Sequence, residues 1–351
     1  MPFCDKFFFD KLKLETPTSE KAASITLLRA AFAEPFRIAL ERNGLVPGHW
    51  FRKVRLPMRK LTDPDALIPE KPFWHLINQV AISQGIPDFG SQVARAVPWY
   101  EIETLKSEIA FQPDLRSMLT RFCQVAPSQS SIASFRMSTH GETCLFKHLS
   151  KPLIRYDIQM EIYHLTCMLD LVRLYTGRDW RPNHIRLMMK QNQIIESNPI
   201  FNGCDLVFSQ PCSSIEFDTR YLDIPSPRKR NKDPEVTTTR KRGSLKNRVI
   251  PLQVISEYLD TYITEENLSL ALVAGILDLS PRGAQRLIRS HGSSYRELLN
   301  EARKKYATLK LSSGEDSIGD IASQLGYNDQ AHFTRAFKRW TGFNPSDFRR
   351  R

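Results

Sequence analysis

The chain has 351 residues, 41% of them hydrophobic, and a formal net charge of +12 at pH 7. This length allows two domains with separate cores, and the positive charge indicates an anionic partner such as nucleic acid, the alternative being a generally basic, solvated surface. No segment approaches the roughly 20 apolar residues of a membrane span, and the short, charged N-terminal segment is unlike a signal peptide, so we expect a cytoplasmic protein with no membrane partner.

The residues that usually carry catalysis or bind metals form no recognisable motif. The six cysteines include no C-x-x-C pair and no zinc-type histidine pattern, so they are predicted to be reduced. A phosphate loop, a nucleophile elbow and a dinucleotide fingerprint are all absent from the sequence. We therefore expect no cofactor, no metal and no enzymatic activity.

Residues 1–224 are predicted to form an α+β domain, because helical and strand patterns occur without regular βαβ alternation. The segment DPDALIPEKPFWHLINQVAISQG is predicted to be a helix that starts at Asp63-Pro64. A long helix is predicted over YDIQMEIYHLTCMLDLVRLYTG, with Gly177 as its stop. STHGET is predicted to be the turn of a hairpin, and HIRLMM, DLVFS and SIEFD are predicted strands.

Histidines and aromatic residues of this region have an ordinary structural interpretation. Single histidines in mixed elements are usually structural, and this applies to four of them: His140, His148, His164 and His184. Four aromatic residues are candidates for a pocket but fit a core better: Trp99, Tyr100, Trp180 and Phe201. The ligand of this domain, if it has one, is not identified by the sequence.

Residues 225–247 are predicted to be a basic, flexible linker. The segment has two basic clusters, three consecutive threonines and almost no apolar residue, so it cannot bury a core. A plain solvated linker is the favoured interpretation, a supplementary phosphate contact is the second, and a nuclear localisation signal is the third.

Residues 248–351 are predicted to be all-helical and to contain an internal repeat. The segment from Leu272 to Gly292 resembles the segment from Asp320 to Gly342, and in each a short helix is followed by a tight turn and a second helix. The turns carry residues suited to caps and turns: Ser280, Gly326, and Asn328 or Asp329. SYRELLNEARKKYATLKL is predicted to be a central helix joining the two units.

The second helix of each unit has one apolar face and one polar face. Phe333, Phe337 and Trp340 follow helical spacing in one unit, and Ala284, Leu287 and Ile288 do so in the other. Arginine and glutamine on the opposite face can pair with guanine and adenine edges in the major groove. The pattern predicts two helix-turn-helix units that enter successive major grooves about 34 Å apart. A helical bundle with a solvated basic face is the alternative.

These segments closely resemble the DNA-binding domain of the AraC/XylS family of transcription regulators. The resemblance is carried by SPRGAQRLI, EARKKYATLKL and SIGDIASQLGYNDQAHFTRAFKRWTGFNPSDFR. It implies base contacts by Arg282, Gln285, Arg286, Ala331, His332 and Arg335. Phosphate contacts are expected from Arg289, Thr334, Lys338 and Arg339. Asp278 and the pair Gly283-Ala284 depart from the family pattern, which predicts that the first unit binds less rigidly.

The N-terminal half resembles, more weakly, the effector-binding and dimerisation domain of one branch of that family. The segments DPDALIPEKPFWHLINQVA, DWRPNHIRLMM and PIFNGCDLVFSQPCSSIEFDTRYLDIP carry this resemblance. It implies a small-molecule effector or a second copy of the chain as partner. The resemblance to the family as a whole implies a bacterial regulator, most often an activator, with promoter DNA and RNA polymerase as partners. Two alternatives remain. One is a domain that only dimerises, and the other is an enzyme such as a repair alkyltransferase fused to the same DNA-binding module. The enzyme would need a zinc-binding cluster of cysteines near the N-terminus, where the sequence has a single cysteine, Cys4.

Overall fold

The computed structural model describes residues 26–56, 61–149, 157–227, 245, 251–264, 268–277 and 279–350. Most of the predicted linker at 225–247 lies outside these residues, as do Cys4 and Asp278. Within the described ranges, no helix is long and apolar enough to cross a membrane.

The N-terminal region begins with a two-stranded antiparallel ribbon and a layer of helices. Strand β1 (Leu27–Arg29) pairs with β2 (Leu67–Pro69). The helices of this region are α1 (Ala33–Arg42), α2 (Pro47–Lys53), α3 (Lys71–Ser83), α4 (Phe89–Ala96), α5 (Glu103–Ile109), α6 (Leu115–Val125), α7 (Ile158–Thr176) and α8 (Gln193–Glu196).

Helix α7 is the central element of this layer. It packs against α3 and α4. Gly90 of α4 lies so close to α7 that an added Cβ would come within 2.5 Å of the Gln159 carbonyl oxygen. The helix ends at Gly177, whose φ of 96° is favourable only for glycine, as the sequence pattern predicts.

A five-stranded sheet packs against the helices and completes the α+β domain. Its strand order is β3 (Phe135–His140), β4 (Thr143–His148), β7 (Ser213–Asp218), β5 (His184–Arg186) and β6 (Leu206–Val207). The pairs are antiparallel except for β5 with β6. The predicted hairpin is present, with Gly141 at a positive φ in its turn.

The predicted helix start at Asp63-Pro64 is wrong. Leu67–Pro69 is a strand, and the helix begins only at Lys71, with Pro72 in its first turn. Pro69 has no N–H for a helical hydrogen bond, and the residue before a proline is driven towards extended conformations. The helix therefore begins eight residues after Asp63, and the apolar residues at 67–69 belong to a strand.

The C-terminal region is all-helical, which confirms the predicted fold class. It contains α9 (Pro251–Tyr262), α10 (Leu270–Ile276), α11 (Pro281–Ser290), α12 (Tyr295–Ser313), α13 (Ile318–Gln324), α14 (Gln330–Thr341) and α15 (Pro345–Arg349). The central helix α12 packs against α9, α13, α14 and α15. Two short helix pairs, α10 with α11 and α13 with α14, precede and follow this helix in the chain, and α11 packs against α9.

The buried apolar residues form two clusters, one for each region, and the β1–β2 ribbon contributes to both. Leu28 and Ile68 are cross-strand partners and belong to the N-terminal core. Leu27 is fully buried within the C-terminal core, and Leu67 packs against that core. Successive residues of a strand point to opposite faces, so one face of the ribbon serves each core.

Candidate functional site

The two helix pairs repeat in structure as they do in sequence. In the first pair Val273, Ala274 and Leu277 are buried, and in the second pair Ile321, Ala322 and Leu325 are buried at the corresponding positions. The small alanine in each set allows the two helices to cross closely. The pairs are therefore two copies of one supersecondary unit, each held by its own apolar contacts.

Helix α11 begins at a well-formed cap. Ser280 is its N-cap residue, and the Gly283 N–H donates to Ser280 Oγ at 3.0 Å. Pro281 occupies the first helical position, where its missing N–H costs nothing. The remaining first-turn N–H groups are therefore oriented out of the helix end, where a phosphate can accept from them.

Helix α14 begins in the same way, at Asp329. The His332 N–H donates to Asp329 Oδ1 at 2.6 Å, and the imidazole Nδ1 of His332 lies 3.3 Å from Asp329 Oδ2. The hydrogen bond from the His332 backbone lowers the pKa of this exposed carboxyl. Asn328 lies outside the helix, before this cap, and Gly326 has a φ of 75° in the turn.

The apolar faces of the second helices point into the C-terminal core. Phe333 and Phe337 are fully buried, and Trp340 packs against the same cluster. Ala284 and Ile288 are buried on α11, with Leu287 against the cluster. This packing fixes the rotation of each helix about its axis and so decides which side chains face solvent.

The opposite faces carry the residues proposed to contact DNA. On α11, Arg282, Gln285, Arg286 and Arg289 are exposed. On α14, Ala331, His332, Arg335, Lys338 and Arg339 are exposed, whereas Thr334 is half-buried. Each helix therefore presents several cationic side chains on one side. The structure brings together every predicted contact residue within its own helix face.

Other basic residues of the region are engaged in intramolecular contacts. Lys305 Nζ lies 3.0 Å from Asp260 Oδ2, and Lys310 Nζ lies 2.8 Å from Asp316 Oδ2. Among the described residues, by contrast, no carboxylate lies within ion-pair distance of Arg282, Arg289 or Lys338. At these three positions the positive charge is therefore not neutralised by a described carboxylate.

Helix α12 sets the separation of the two faces. It has 19 residues, which corresponds to a length of about 28 Å. A capping box at its start joins Ser294 and Glu297, and another at the start of α13 joins Ser317 and Asp320. Neither box was predicted from the sequence, although Ser followed three residues later by an acidic residue is a recognisable signal.

A cavity of about 40 Å³ lies in the N-terminal domain. Its lining includes Leu28, Glu70, Trp74, Trp99, His148 and His164. Of the four aromatic pocket candidates, only Trp99 is among its lining residues. Neither the cavity nor the ribbon was predicted from the sequence. The cavity is lined by residues from distant segments of the chain, and each strand of the ribbon has only three residues, too few to show a periodic pattern.

Comparisons with known proteins place these features in a family. A model described as "Arabinose-binding domain of AraC transcription regulator, N-term" matches residues 44–226, and one described as "Helix-turn-helix domain" matches residues 273–351.

Individual relatives are more distant or match over a shorter length. The HTH-type regulator Rv1395 of Mycobacterium tuberculosis is 40% identical over 79 residues, which cover 22% of this chain and 23% of that protein. The chain thus spans about a quarter of the length of such relatives. VirS of the same species is 21% identical over 344 residues, covering 92% of this chain and 96% of VirS. The crystal structure of CdpR from Pseudomonas aeruginosa matches 90% of this chain and 97% of its own, at 15% identity and a TM-score of 0.41.

The N-terminal family model alone covers more than half of the chain, and the helix-turn-helix model covers the two repeated units. The chain therefore belongs to the AraC family of transcription regulators.

Proposed function

We propose that the protein is a sequence-specific regulator that binds promoter DNA through both helix-turn-helix units. The observation that carries this proposal is the pair of capped helices, α11 and α14, with exposed cationic faces on a single connecting helix. Base contacts are assigned to Arg282, Gln285, Arg286, Ala331, His332 and Arg335. Phosphate contacts are assigned to Arg289, Thr334, Lys338 and Arg339.

The two units are proposed to read successive major grooves on one side of the duplex. These grooves are about 34 Å apart, and a connecting helix of about 28 Å suits that spacing. DNase footprinting and hydroxyl-radical footprinting of the full-length protein test this directly. Two protected stretches about one helical turn apart support the proposal, and a single protected stretch contradicts it.

The N-terminal domain is proposed to sense a small molecule and to alter DNA binding. Two features support this: the cavity beside Leu28 and Glu70, and the ribbon that joins both cores. Leu28 faces the cavity while its neighbour Leu27 packs with the DNA-binding helices. A ligand that moves the ribbon would therefore act on the C-terminal core directly, without depending on the linker at 225–247.

A domain that only dimerises is the second candidate, and it predicts a concentration-dependent increase in DNA affinity that no small molecule changes. Activation through RNA polymerase follows from the family resemblance and is tested by transcription from the footprinted promoter in vitro.

An alkyltransferase activity has no support in the arrangement of the described cysteines. Cys144 and Cys167 are buried, and burial raises the thiol pKa of Cys144 to about 12, which makes that thiol a poor nucleophile.

A further inference from the structure

The cavity of the N-terminal domain is enclosed by aromatic rings. The rings of Trp74 and Tyr163 lie 5.3 Å apart in an edge-to-face arrangement, and those of Trp99 and Phe135 lie at the same distance in a similar arrangement. We call these four residues the aromatic cage. All four rings line the cavity and give it an apolar wall that can take up an alkyl group.

A buried carboxyl group stands beside the aromatic cage. Glu70 is 1% exposed, and the Ser130 hydroxyl lies 2.8 Å and 3.0 Å from its two oxygens. Ser130 Oγ also accepts from the N–H groups of Ile132 and Ala133. The Ser130 hydroxyl therefore donates to Glu70. In the empty site the carboxyl also keeps its own proton at neutral pH, because burial raises its pKa to about 8.

A second polar group of the cavity is unsatisfied. The indole Nε1 of Trp74 is buried, lines the cavity and makes no hydrogen bond of normal geometry among the described residues, although it lies near enough to Glu70 to lower the pKa of that carboxyl. No lysine or arginine is among the described residues that line the cavity. A buried carboxyl without a cationic partner is costly when ionised, so the empty site lacks the positive charge that would complete it.

We propose that this cavity binds a small protonated primary amine, with its ammonium group against Glu70 and its alkyl group within the aromatic cage. This inference rests on the proposed sensing role and specifies its ligand class. When the amine binds, the carboxyl of Glu70 releases its proton to solvent, and the ammonium group supplies the counter-charge and N–H donors for the resulting carboxylate oxygens. The ionised carboxylate in turn becomes an acceptor for the Trp74 N–H.

The size and charge of the cavity argue against large ligands and against anions. A cavity of about 40 Å³ has room for a few water-sized groups, as judged by the space that one water needs. An anion would meet Glu70 with no cationic side chain to offset it. His148 and His164 do not supply that charge, because burial lowers the pKa of both imidazoles, to about 4 for His164.

The test compares three ligands of nearly equal size: n-propylamine, 1-propanol and propionate. Each is titrated into full-length protein labelled with ¹⁵N at its tryptophan indoles, at pH 7.5 and at constant ionic strength. The Trp74 Nε1–H resonance, assigned with Trp74→Phe, reports on the cavity. We expect the amine to shift this resonance with a dissociation constant on the order of 1 mM, and the alcohol and the acid to bind at least tenfold more weakly.

Glu70→Gln is the matched variant, because the amide keeps the shape and loses the charge. We expect it to weaken amine binding at least tenfold while leaving alcohol binding within threefold. Should this variant fail to fold, the three-ligand comparison in the natural protein decides alone. Stronger binding of the alcohol or the acid overturns the amine assignment.

Failure of the amine proposal is distinguishable from failure of the sensing role. Footprints recorded with a metabolite mixture test sensing separately. A metabolite-dependent footprint without any shift of the Trp74 resonance would overturn this inference and leave sensing intact elsewhere in the protein. No ligand response in either experiment would overturn both, while the footprint itself still tests DNA binding.

Discussion

Leu27 and Leu28 are adjacent in strand β1, yet they belong to different hydrophobic cores. Leu27 is fully buried in the cluster of the DNA-binding helices, and Leu28 is 3% exposed in the cluster of the N-terminal domain. The alternation of side chains along a strand produces this division. A three-residue strand therefore connects the interior of one domain to the interior of the other.

Leu27→Ala is expected to loosen the contact between the ribbon and the C-terminal core. Large-to-small changes at buried leucines cost about 2–5 kcal/mol, and part of this loss is expected to appear as independent unfolding of the two domains. Differential scanning calorimetry would then resolve two transitions. Leu309→Ala is the control, because Leu309 is 67% exposed on α12. A single unfolding transition of Leu27→Ala at the melting temperature of the natural protein would contradict the coupling role of the ribbon.

Arg335→Ala is expected to weaken binding to the target site by about 1–3 kcal/mol and to relax base preference at one position. The reason is that Arg335 is exposed in the middle of α14, from where a guanidinium can reach a guanine edge. Binding titrations against operators with single base substitutions measure both effects. An equal loss on all sequences would instead assign Arg335 to phosphate.

Lys338→Ala is the companion variant, one turn further along the same exposed face. It should weaken binding to all sequences alike and reduce the salt slope of log K by about one, since one phosphate contact is lost. Titrations at a series of salt concentrations measure that slope. A slope identical to that of the natural protein would remove Lys338 from the interface.

Asp329→Ala removes the N-cap of α14. The lost hydrogen bond to the His332 N–H is expected to cost about 1 kcal/mol of folding stability, whereas Asn328→Ala, just outside the cap, serves as the control. Urea unfolding followed by far-UV circular dichroism measures both. DNA affinity is also expected to fall, because the cap orients the helix end that carries Ala331 and His332. Equal effects of the two substitutions would show that the cap is unimportant.

Glu70 is expected to make the folding stability fall as the pH rises from about 4.5 to 8. Burial raises its pKa to about 8, so the folded protein keeps a proton that the unfolded chain has already released above about pH 4.5. The free energy of unfolding therefore falls by about 1.4 kcal/mol per pH unit up to about pH 8, and Glu70 causes no further loss at higher pH. Between pH 6.5 and 8, the natural protein should lose about 2 kcal/mol relative to Glu70→Gln. Parallel pH profiles of the two proteins would contradict this.

The sequence was most informative where one pattern runs over many residues. The repeated apolar positions of the C-terminal helices and the turn glycine Gly326 predict the helix-turn-helix pairs, and the long apolar run before Gly177 predicts α7. Base-contact assignments on these helices, such as Arg335, remain predictions, since exposure alone does not identify a base.

Other features depend on contacts between distant segments. Leu67–Pro69 continues the apolar pattern of the following helix, and only its pairing with Leu27–Arg29 shows that it is a strand. The neighbourhood of Glu70 and Ser130, 60 residues apart, is equally invisible in the sequence. The cavity could therefore not be predicted, although Trp99 was named as a pocket candidate.

The most direct test of the account is a hydroxyl-radical footprint of the full-length protein on the DNA upstream of its own gene. We predict two protected stretches per monomer, separated by about one helical turn on one face of the duplex, with the second requiring a higher protein concentration in Arg335→Ala. Diffuse protection that disappears at modest salt would mean that the basic surface binds DNA without reading it, and would contradict the central claim.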